Sequence, residues 1–217
     1  MRSFLFTLGF HEDFIIRRLS FCSARRGEDI YVFVNKPVVG GVVKAFDSLS
    51  FYCRRIGLSI PRMIELDLSD PANALIYACR VISKIPTPVV VELGGGMRSL
   101  VILVFLAVLN SCRDFELYVS VEGTEDIEIH FPRGFTKALK GLSFEKRMIL
   151  STMHRFGRIR VEDLARVLGK PVKTVRNHLS ELKRMGLVVS SGKGAPLRLT
   201  RWGEIFVEHN SRLSSGK

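Results

Sequence analysis

Paired cysteines are absent from this sequence. Its four cysteines lie far apart and form no Cys-x-x-Cys pair, which excludes the usual spacing of zinc knuckles and thioredoxin-type redox sites. We expect reduced thiols, mostly in the core. The sequence also lacks a Gly-x-x-x-x-Gly-Lys-Ser/Thr phosphate loop, which excludes nucleotide hydrolysis by that route. No metal, cofactor or catalytic residue is predicted.

Long apolar runs are missing as well. The longest spans residues 99–112 between Arg98 and Arg113 and is too short to cross a bilayer, which takes roughly 20 residues. The N-terminus shows none of the features of a secretory signal. We therefore expect a cytoplasmic protein.

Acidic residues are scarce in one part of the chain only. Residues 1–131 contain 14 basic and 15 acidic side chains, whereas residues 132–217 contain 19 basic and 6 acidic ones. The electric field near a surface follows the local charge. This asymmetry indicates a polyanion-binding module attached to an electrically neutral one.

The first 131 residues alternate short apolar runs with longer segments of helical period. The predicted strands span residues 4–8, 30–34, 63–68, 89–93, 116–121 and 127–131. The predicted helices span residues 12–25, 41–56, 71–84 and 97–112. This alternation favours a mostly parallel sheet with helices on both faces, a Rossmann-like α/β fold. No helix separates the last two strands, so we expect an antiparallel hairpin at the sheet edge.

Pro132, Arg133 and Gly134 interrupt this pattern where the charge changes sign. We predict a linker over residues 132–142 and a second domain over residues 143–217. Its predicted elements are helices at 143–156, 161–168 and 171–185, a hairpin at 187–200 and a helix at 202–212. Gly169 and Pro171 end one helix and start the next within two residues. That connection is typical of a helix-turn-helix, to which the hairpin adds a wing.

The second helix of this motif is strongly two-faced. Its apolar positions fall on one face at 100° per residue, namely Val172, Val175, Leu179 and Leu182. Donors and cations suited to base edges and phosphates point elsewhere. The candidate DNA-binding residues are Lys173, Thr174, Arg176, Asn177, Ser180 and Arg184, with Lys193 at the wing tip. A merely solvated face and a winged helix that binds only protein are the alternatives, and His178 is expected to pack or cap.

Two loops of the first domain are candidates for a ligand site. Ligands of open α/β sheets bind at the carboxyl ends of the strands, where the strand order reverses. If the order is 3-2-1-4-5, the loops at 7–11 and 94–98 open onto that point. Glycines permit close approach, and a helix N-terminus with Arg98 favours an anion, such as a phosphodiester. A tight turn without a ligand is the alternative, and Phe10 is expected in the core.

The second loop also approaches a dinucleotide-binding fingerprint. Gly94-x-Gly96-x-x-Ser99 lacks the third glycine, and Glu122 ends the following strand as a ribose-binding acid would. The match is weak, because the motif follows the fourth strand and not the first.

Three features together resemble archaeal CRISPR-associated regulators of the Csa type. These are Phe-Thr-Leu-Gly-Phe at 6–10, Gly-Gly-Gly-Met-Arg at 94–98 and the basic winged helix behind them. Such regulators join a CARF (CRISPR-associated Rossmann fold) domain, here residues 1–131, to a winged helix-turn-helix. The resemblance implies an antiviral role and a homodimer that binds a cyclic oligoadenylate, cyclic tetra-adenylate, in a shared cleft. The ligand-binding residues it implies are Thr7, Leu8, Gly9, Phe10, Gly94, Gly95, Gly96, Met97 and Arg98, with His11 where Asp or Asn is expected.

The sequence therefore predicts a ligand-responsive transcriptional regulator of a CRISPR locus, with duplex DNA as partner and no enzymatic role. Some CARF proteins slowly cleave their ligand, and the residues leave that open. A nucleotide-dependent enzyme that docks on nucleic acid through its winged helix is the second interpretation. A third is a constitutive DNA-binding protein whose α/β domain only dimerises.

Overall fold

The computed structural model describes residues 1–111, 114–120, 128–139, 141–192 and 194–214, with 209–214 as backbone alone. The chain divides into two compact units, residues 1–131 and 132–217. Within the described ranges, no helix combines the length and apolar character needed to span a membrane.

The first unit is a six-stranded sheet flanked by helices. Its elements are β1 (Ser3–Thr7), α1 (Asp13–Phe21), β2 (Asp29–Lys36), α2 (Gly40–Arg55), β3 (Arg62–Asp67), α3 (Pro71–Lys84), β4 (Val89–Glu92), α4 (Arg98–Asn110), β5 (Phe115–Ser120) and β6 (Glu128–Phe131). The strand order is β3-β2-β1-β4-β5-β6. Five strands are parallel, and β6 pairs antiparallel with β5 at the edge. The Rossmann-like fold, the strand order and the edge pairing are confirmed.

Alternating side chains of the central strands fill two cores. Leu5 and Phe33 pack with α3 and α4 on one face of the sheet, whereas Phe4, Phe6 and Val32 pack with α1 and α2 on the other. Strands buried on both faces favour apolar residues at most positions. This explains why the strands stand out in the sequence as continuous apolar runs.

Most helix boundaries follow local signals. The Asp70 side chain caps α3 by accepting a hydrogen bond from the Asn73 backbone N–H at 3.2 Å, and Pro71 is the first helical residue. The predicted helix 12–25 is too long, because α1 ends at Phe21. Ser23 adopts a φ of 47°, which an α-helix cannot accommodate.

The second unit has the element order of a winged helix. It comprises α5 (Phe135–Leu139), α6 (Phe144–Phe156), α7 (Val161–Leu168), α8 (Val172–Arg184), β7 (Val188–Ser190), β8 (Leu197–Leu199) and α9 (Arg201–Ser214). Gly169 ends α7 in the left-handed conformation, at a φ of 59°. Strands β7 and β8 pair antiparallel as the wing, so the predicted helix-turn-helix and hairpin are confirmed.

Residues 132–142, expected to be a linker, contain α5 and belong to the second unit. The buried Phe135 ring lies 4.9 Å from Trp202 and 5.6 Å from Phe206, measured between ring centroids. Such aromatic pairs hold their segments together by burial and by edge-to-face contact. An anchored helix therefore replaces the expected linker.

The described cysteines Cys22, Cys53 and Cys79 are free thiols, as predicted. Only Cys53 is fully buried, where burial raises its pKa to about 11. Cys22 and Cys79 lie at the margins of the two cores, so the expectation of mostly core thiols holds for one of these three. Cys112 lies outside the described residues.

Candidate functional site

The two candidate ligand loops lie against each other. Strands β1 and β4 are parallel neighbours, so the loops that follow them leave the same edge of the sheet. A methyl group placed on Gly9 would lie 2.8 Å from the Gly96 backbone nitrogen, and one on Gly95 would lie 2.9 Å from the Thr7 carbonyl oxygen. The loops touch through their backbones, and only glycine fits at these positions.

The second loop leads directly into α4. Gly96 adopts a φ of 97°, which favours glycine. Met97 is the N-cap and caps no N–H with its side chain. The first N–H groups of α4 thus remain available to an anionic ligand. Arg98, the first residue of α4, is exposed and has no ion pair or hydrogen bond among the described residues.

Thr7 ends β1 with an unsatisfied hydroxyl. The residue is 1% exposed, and its Oγ1 has no hydrogen-bond partner within the described part of the chain. Asn35, near the end of the neighbouring β2, likewise has a buried Oδ1 that no described residue contacts by a hydrogen bond. Buried polar atoms are nearly always hydrogen-bonded, so each such exception needs an explanation. Sequence analysis missed Asn35, for which the available signal was a polar residue near the end of an apolar strand.

The other predicted ligand residues have different environments. The Leu8 side chain is buried in the core, which leaves its backbone to face the loops. Phe10 is 64% exposed and lies over Gly41 at the start of α2, so the expectation of a core residue was wrong. His11 is exposed and precedes Glu12, the N-cap of α1. In the second loop, Gly94 and Gly95 are half-buried.

A buried ion pair that sequence analysis missed supports the second loop. Glu92, the last residue of β4, is 1% exposed. Its Oε2 accepts hydrogen bonds from Arg18 Nε at 3.0 Å and Nη2 at 2.9 Å. Its Oε1 accepts from the Ser120 backbone N–H at 3.1 Å and hydroxyl at 3.2 Å. Both carboxylate oxygens are thus satisfied immediately before the glycine run.

Arg18 extends this pair to the edge of the sheet. Its guanidinium also donates to Glu128 on β6 and lies 3.8 Å from the centre of the Tyr118 ring. Burial lowers the pKa of Arg18, but the hydrogen bonds and charges of Glu128 and Glu92 outweigh that effect and raise the pKa above its ordinary value. Arg18 therefore carries a fixed positive charge. Its place on the same helical face as Ile15 and Leu19 was the available sequence signal.

The basic unit presents α8 as predicted. Val175, Leu179 and Leu182 are buried, and Val172 is half-buried. The six predicted contact residues that the structure describes are all exposed, namely Lys173, Thr174, Arg176, Asn177, Ser180 and Arg184. Lys193 and the ribose-binding candidate Glu122 lie outside the described residues. The division of the helix into two faces is confirmed, whereas the contacts with DNA stay a prediction.

Further residues line the surface between α8 and the wing. A groove of about 540 Å³ is bordered there by Arg176, Lys183 and Gly194, among others. Lys183 donates to the Ser190 hydroxyl on β7 at 2.8 Å and adds a cation that sequence analysis did not select. His178 is half-buried and lines a separate cleft with Phe144 and Met148, as expected for a packing residue.

Comparison with known proteins agrees with this architecture. Residues 2–132 match the Csa3 CRISPR-associated Rossmann-like domain, and residues 145–190 match the bacterial regulatory protein arsR family. Over 214 residues the chain is 30% identical to the "CRISPR locus-related putative DNA-binding protein Csa3" of Saccharolobus solfataricus, covering 98% of this chain and 90% of that protein. The chain therefore belongs to the Csa3 family of CRISPR-associated DNA-binding regulators, with a CARF domain followed by a helix-turn-helix domain.

Proposed function

We propose that this protein is a transcriptional regulator of a CRISPR locus that responds to a cyclic oligoadenylate. The ligand, cyclic tetra-adenylate, binds at the two loops after β1 and β4. The observation that carries this proposal is the direct contact between these loops, at the point where the strand order reverses. That contact joins the glycine backbone, the uncapped start of α4 and Arg98 in one place.

The chemistry of these groups suits a cyclic phosphodiester. Such a ligand carries one negative charge per linkage, which the N–H groups of α4 and the Arg98 guanidinium can bind. The Thr7 hydroxyl is buried and has no partner among the described residues, so it can bond to a base or a ribose once the ligand shifts the loops that cover it. Glycines 94–96 carry no side chains, so a ligand can approach the backbone of this loop closely.

Two features support a homodimer, namely the symmetry of the proposed ligand and the exposed apolar face of α4. Cyclic tetra-adenylate has two-fold symmetry, so two copies of the chain can bind its halves identically. Helix α4 starts at the ligand loop and exposes apolar side chains together with its neighbour α3. These residues are Ile76 (49% exposed), Tyr77 (48%), Ile102 (59%) and Leu106 (43%). Burying them against a second copy would place both ligand loops around one cleft.

The helix-turn-helix unit would then bind the operator. Its exposed α8 residues and its excess of basic side chains supply both base contacts and phosphate contacts. Ligand occupancy changes how two such units are held in the dimer. The protein thus acts by binding and release, without a required chemical step.

Titration calorimetry on the full chain tests this proposal. We expect one cyclic tetra-adenylate per two chains, and Arg98→Ala should weaken binding by about 1.5–3 kcal/mol through loss of a charge-assisted bond. Arg55→Ala, at the far end of α2, is the matched control. The titration is then repeated with operator present. Operator should change the affinity for ligand by the same factor by which ligand changes the affinity for operator.

Two results of this titration would contradict the proposal. A stoichiometry of one ligand per chain would show that two chains do not share one ligand. Equal ligand affinity in the wild type and Arg98→Ala would show that the ligand does not bind at these loops. Mass spectrometry of ligand extracted from the purified protein separates the remaining interpretations, because a nicotinamide or flavin dinucleotide would indicate an enzyme.

A further inference from the structure

An ion pair joins the two helices of the helix-turn-helix motif on its exposed side. Arg176 Nη2 on α8 donates a hydrogen bond to Glu162 Oε1 in the first turn of α7 at 2.9 Å. The two side chains are 63% and 56% exposed. Exposed pairs contribute little to folding stability, because water screens the charges and two long side chains must be ordered. Removing this contact should therefore leave the fold intact, so its effect on DNA binding can be measured separately.

The position of Glu162 is electrostatically unfavourable for a DNA-binding surface. A carboxylate beside the recognition helix repels phosphates and lowers the affinity for every duplex. The same carboxylate holds the guanidinium of Arg176 in place, so this long side chain loses less rotamer freedom when it binds a base. One N–H of Arg176 is occupied by Glu162, and the guanidinium retains further N–H donors on its planar fork.

We propose that Glu162 is a positioning residue that orients Arg176 to bind a guanine edge in the major groove. Arginine contacts guanine O6 and N7 with two N–H groups, and this geometry requires the plane of the guanidinium to be fixed. Glu162 then raises base selectivity while it lowers general affinity for DNA. This inference rests on the proposed DNA-binding function and adds a residue outside the predicted contact set.

Asp163 offers a matched control in the same turn of α7. It carries the same charge and pairs with Arg166 at 3.2 Å, three residues along the same helix. Removing either carboxylate reduces phosphate repulsion. Among the described residues, however, Arg176 donates its hydrogen bond to Glu162, whereas Asp163 accepts one from Arg166. The charge effect and the orienting effect can thus be measured separately.

The experiment uses the full chain and a pool of random-sequence duplexes. Selection with the wild type defines a preferred sequence, and duplexes with single base changes then give the preference at each position. Arg176→Ala should lose the preference for one guanine, and Glu162→Ala should reduce that preference about three- to tenfold. Glu162→Ala should at the same time bind unrelated duplexes more tightly than the wild type.

The other variants complete the test. Asp163→Ala should tighten binding to all duplexes and leave the guanine preference unchanged. Glu162→Gln keeps an oxygen acceptor for Arg176 and should retain most of the preference. In the Arg176→Ala background, Glu162→Ala should not reduce the preference further, because the two residues act as one unit.

Two outcomes would overturn the positioning role alone. The first is a Glu162→Ala chain with the full wild-type preference, and the second is a guanine preference that survives in Arg176→Ala. A wild-type chain that selects no sequence would overturn the proposed function together with this inference.

Discussion

Thr7 and Glu92 lie at the ends of neighbouring strands and differ in whether their polar atoms have hydrogen-bond partners. Four hydrogen bonds from Arg18 and Ser120 occupy both carboxylate oxygens of Glu92. The Thr7 hydroxyl has none from any described residue. Glu92 is thus committed to the structure, whereas Thr7 retains bonding capacity at the candidate ligand site.

Replacement of Thr7 by Val tests that distinction. Valine has the same shape and lacks the hydroxyl, so the folded state no longer buries an unsatisfied polar group, and stability should rise by about 1 kcal/mol. Affinity for cyclic tetra-adenylate should fall by about 0.5–1.5 kcal/mol, the value of one hydrogen bond. Thermal unfolding and calorimetry on the same preparation measure both. A Thr7→Val protein that binds ligand as the wild type does would show that the hydroxyl makes no ligand contact.

The Arg18–Glu92 pair predicts a strong dependence of stability on both partners. Removing one partner leaves a buried charge without compensation, so Arg18→Met should cost about 3–5 kcal/mol in the free energy of unfolding. The double variant Arg18→Met with Glu92→Met removes both charges and should recover much of that loss. Denaturant unfolding of the wild type, both single variants and the double variant gives the coupling energy. Additive effects would mean that the pair contributes no coupling.

The candidate ligand site depends on how two strand-to-helix loops leave the sheet. The β1–α1 and β4–α4 connections touch because β1 and β4 are adjacent and parallel. Glycine occurs where the two backbones meet, since a side chain would force them apart. The geometry of the loops is therefore a property of strand order rather than of either loop alone.

Gly9→Ala should separate these loops. The added methyl group would lie 2.8 Å from the Gly96 nitrogen, so the backbone must shift at a cost of about 1–3 kcal/mol. Ligand affinity should fall with it. Gly40→Ala at the start of α2 is the control, because a methyl group there meets nothing within 4 Å. Unfolding and ligand titration of both variants should show an effect for Gly9→Ala only; equal behaviour of the two would contradict the close contact.

At the scale of the whole molecule, charge and fold divide the chain at the same point. The unit that ends at Phe131 is nearly neutral, and the unit that begins at Pro132 holds the excess of basic residues. The proposed ligand site and the proposed DNA-binding surface thus lie in different compact units. A response to ligand requires coupling between them, which is reciprocal by thermodynamic necessity.

The charge division predicts where the salt dependence of DNA binding arises. The logarithm of the affinity of the full chain for duplex should fall linearly with the logarithm of salt concentration, by about 0.9 per phosphate contacted. Lys173→Ala on α8 should reduce this slope by about one contact. Arg55→Ala in the first unit should leave it unchanged. Fluorescence anisotropy at several salt concentrations measures the slopes. A reduced slope in Arg55→Ala would show that the first unit contacts phosphates, which would contradict this prediction.

Local signals were sufficient for the elements and for the division of the chain. The strand periods, the Asp70-Pro71 helix start and the Gly169–Pro171 turn depend on residues close in sequence, and each was predicted correctly. The apolar stripe of α8 likewise predicted its buried face, because the apolar side of an amphipathic helix packs against the core. Helix α1 was predicted too long because its end depends on the backbone conformation at Ser23.

Contacts between distant residues were decided only by the tertiary structure. Arg18 and Glu92 are 74 positions apart, and Arg176 and Glu162 belong to different helices. Phe10 is an aromatic residue beside a strand, yet it lies outside the core, over Gly41. Helix α5 occupies the expected linker because Phe135 packs against Trp202. The apolar faces and the regions of accumulated charge could be predicted from the sequence, since both follow from local composition. Packing of the elements decided which side chains meet, because partners are chosen by proximity in space and by the burial of their polar atoms.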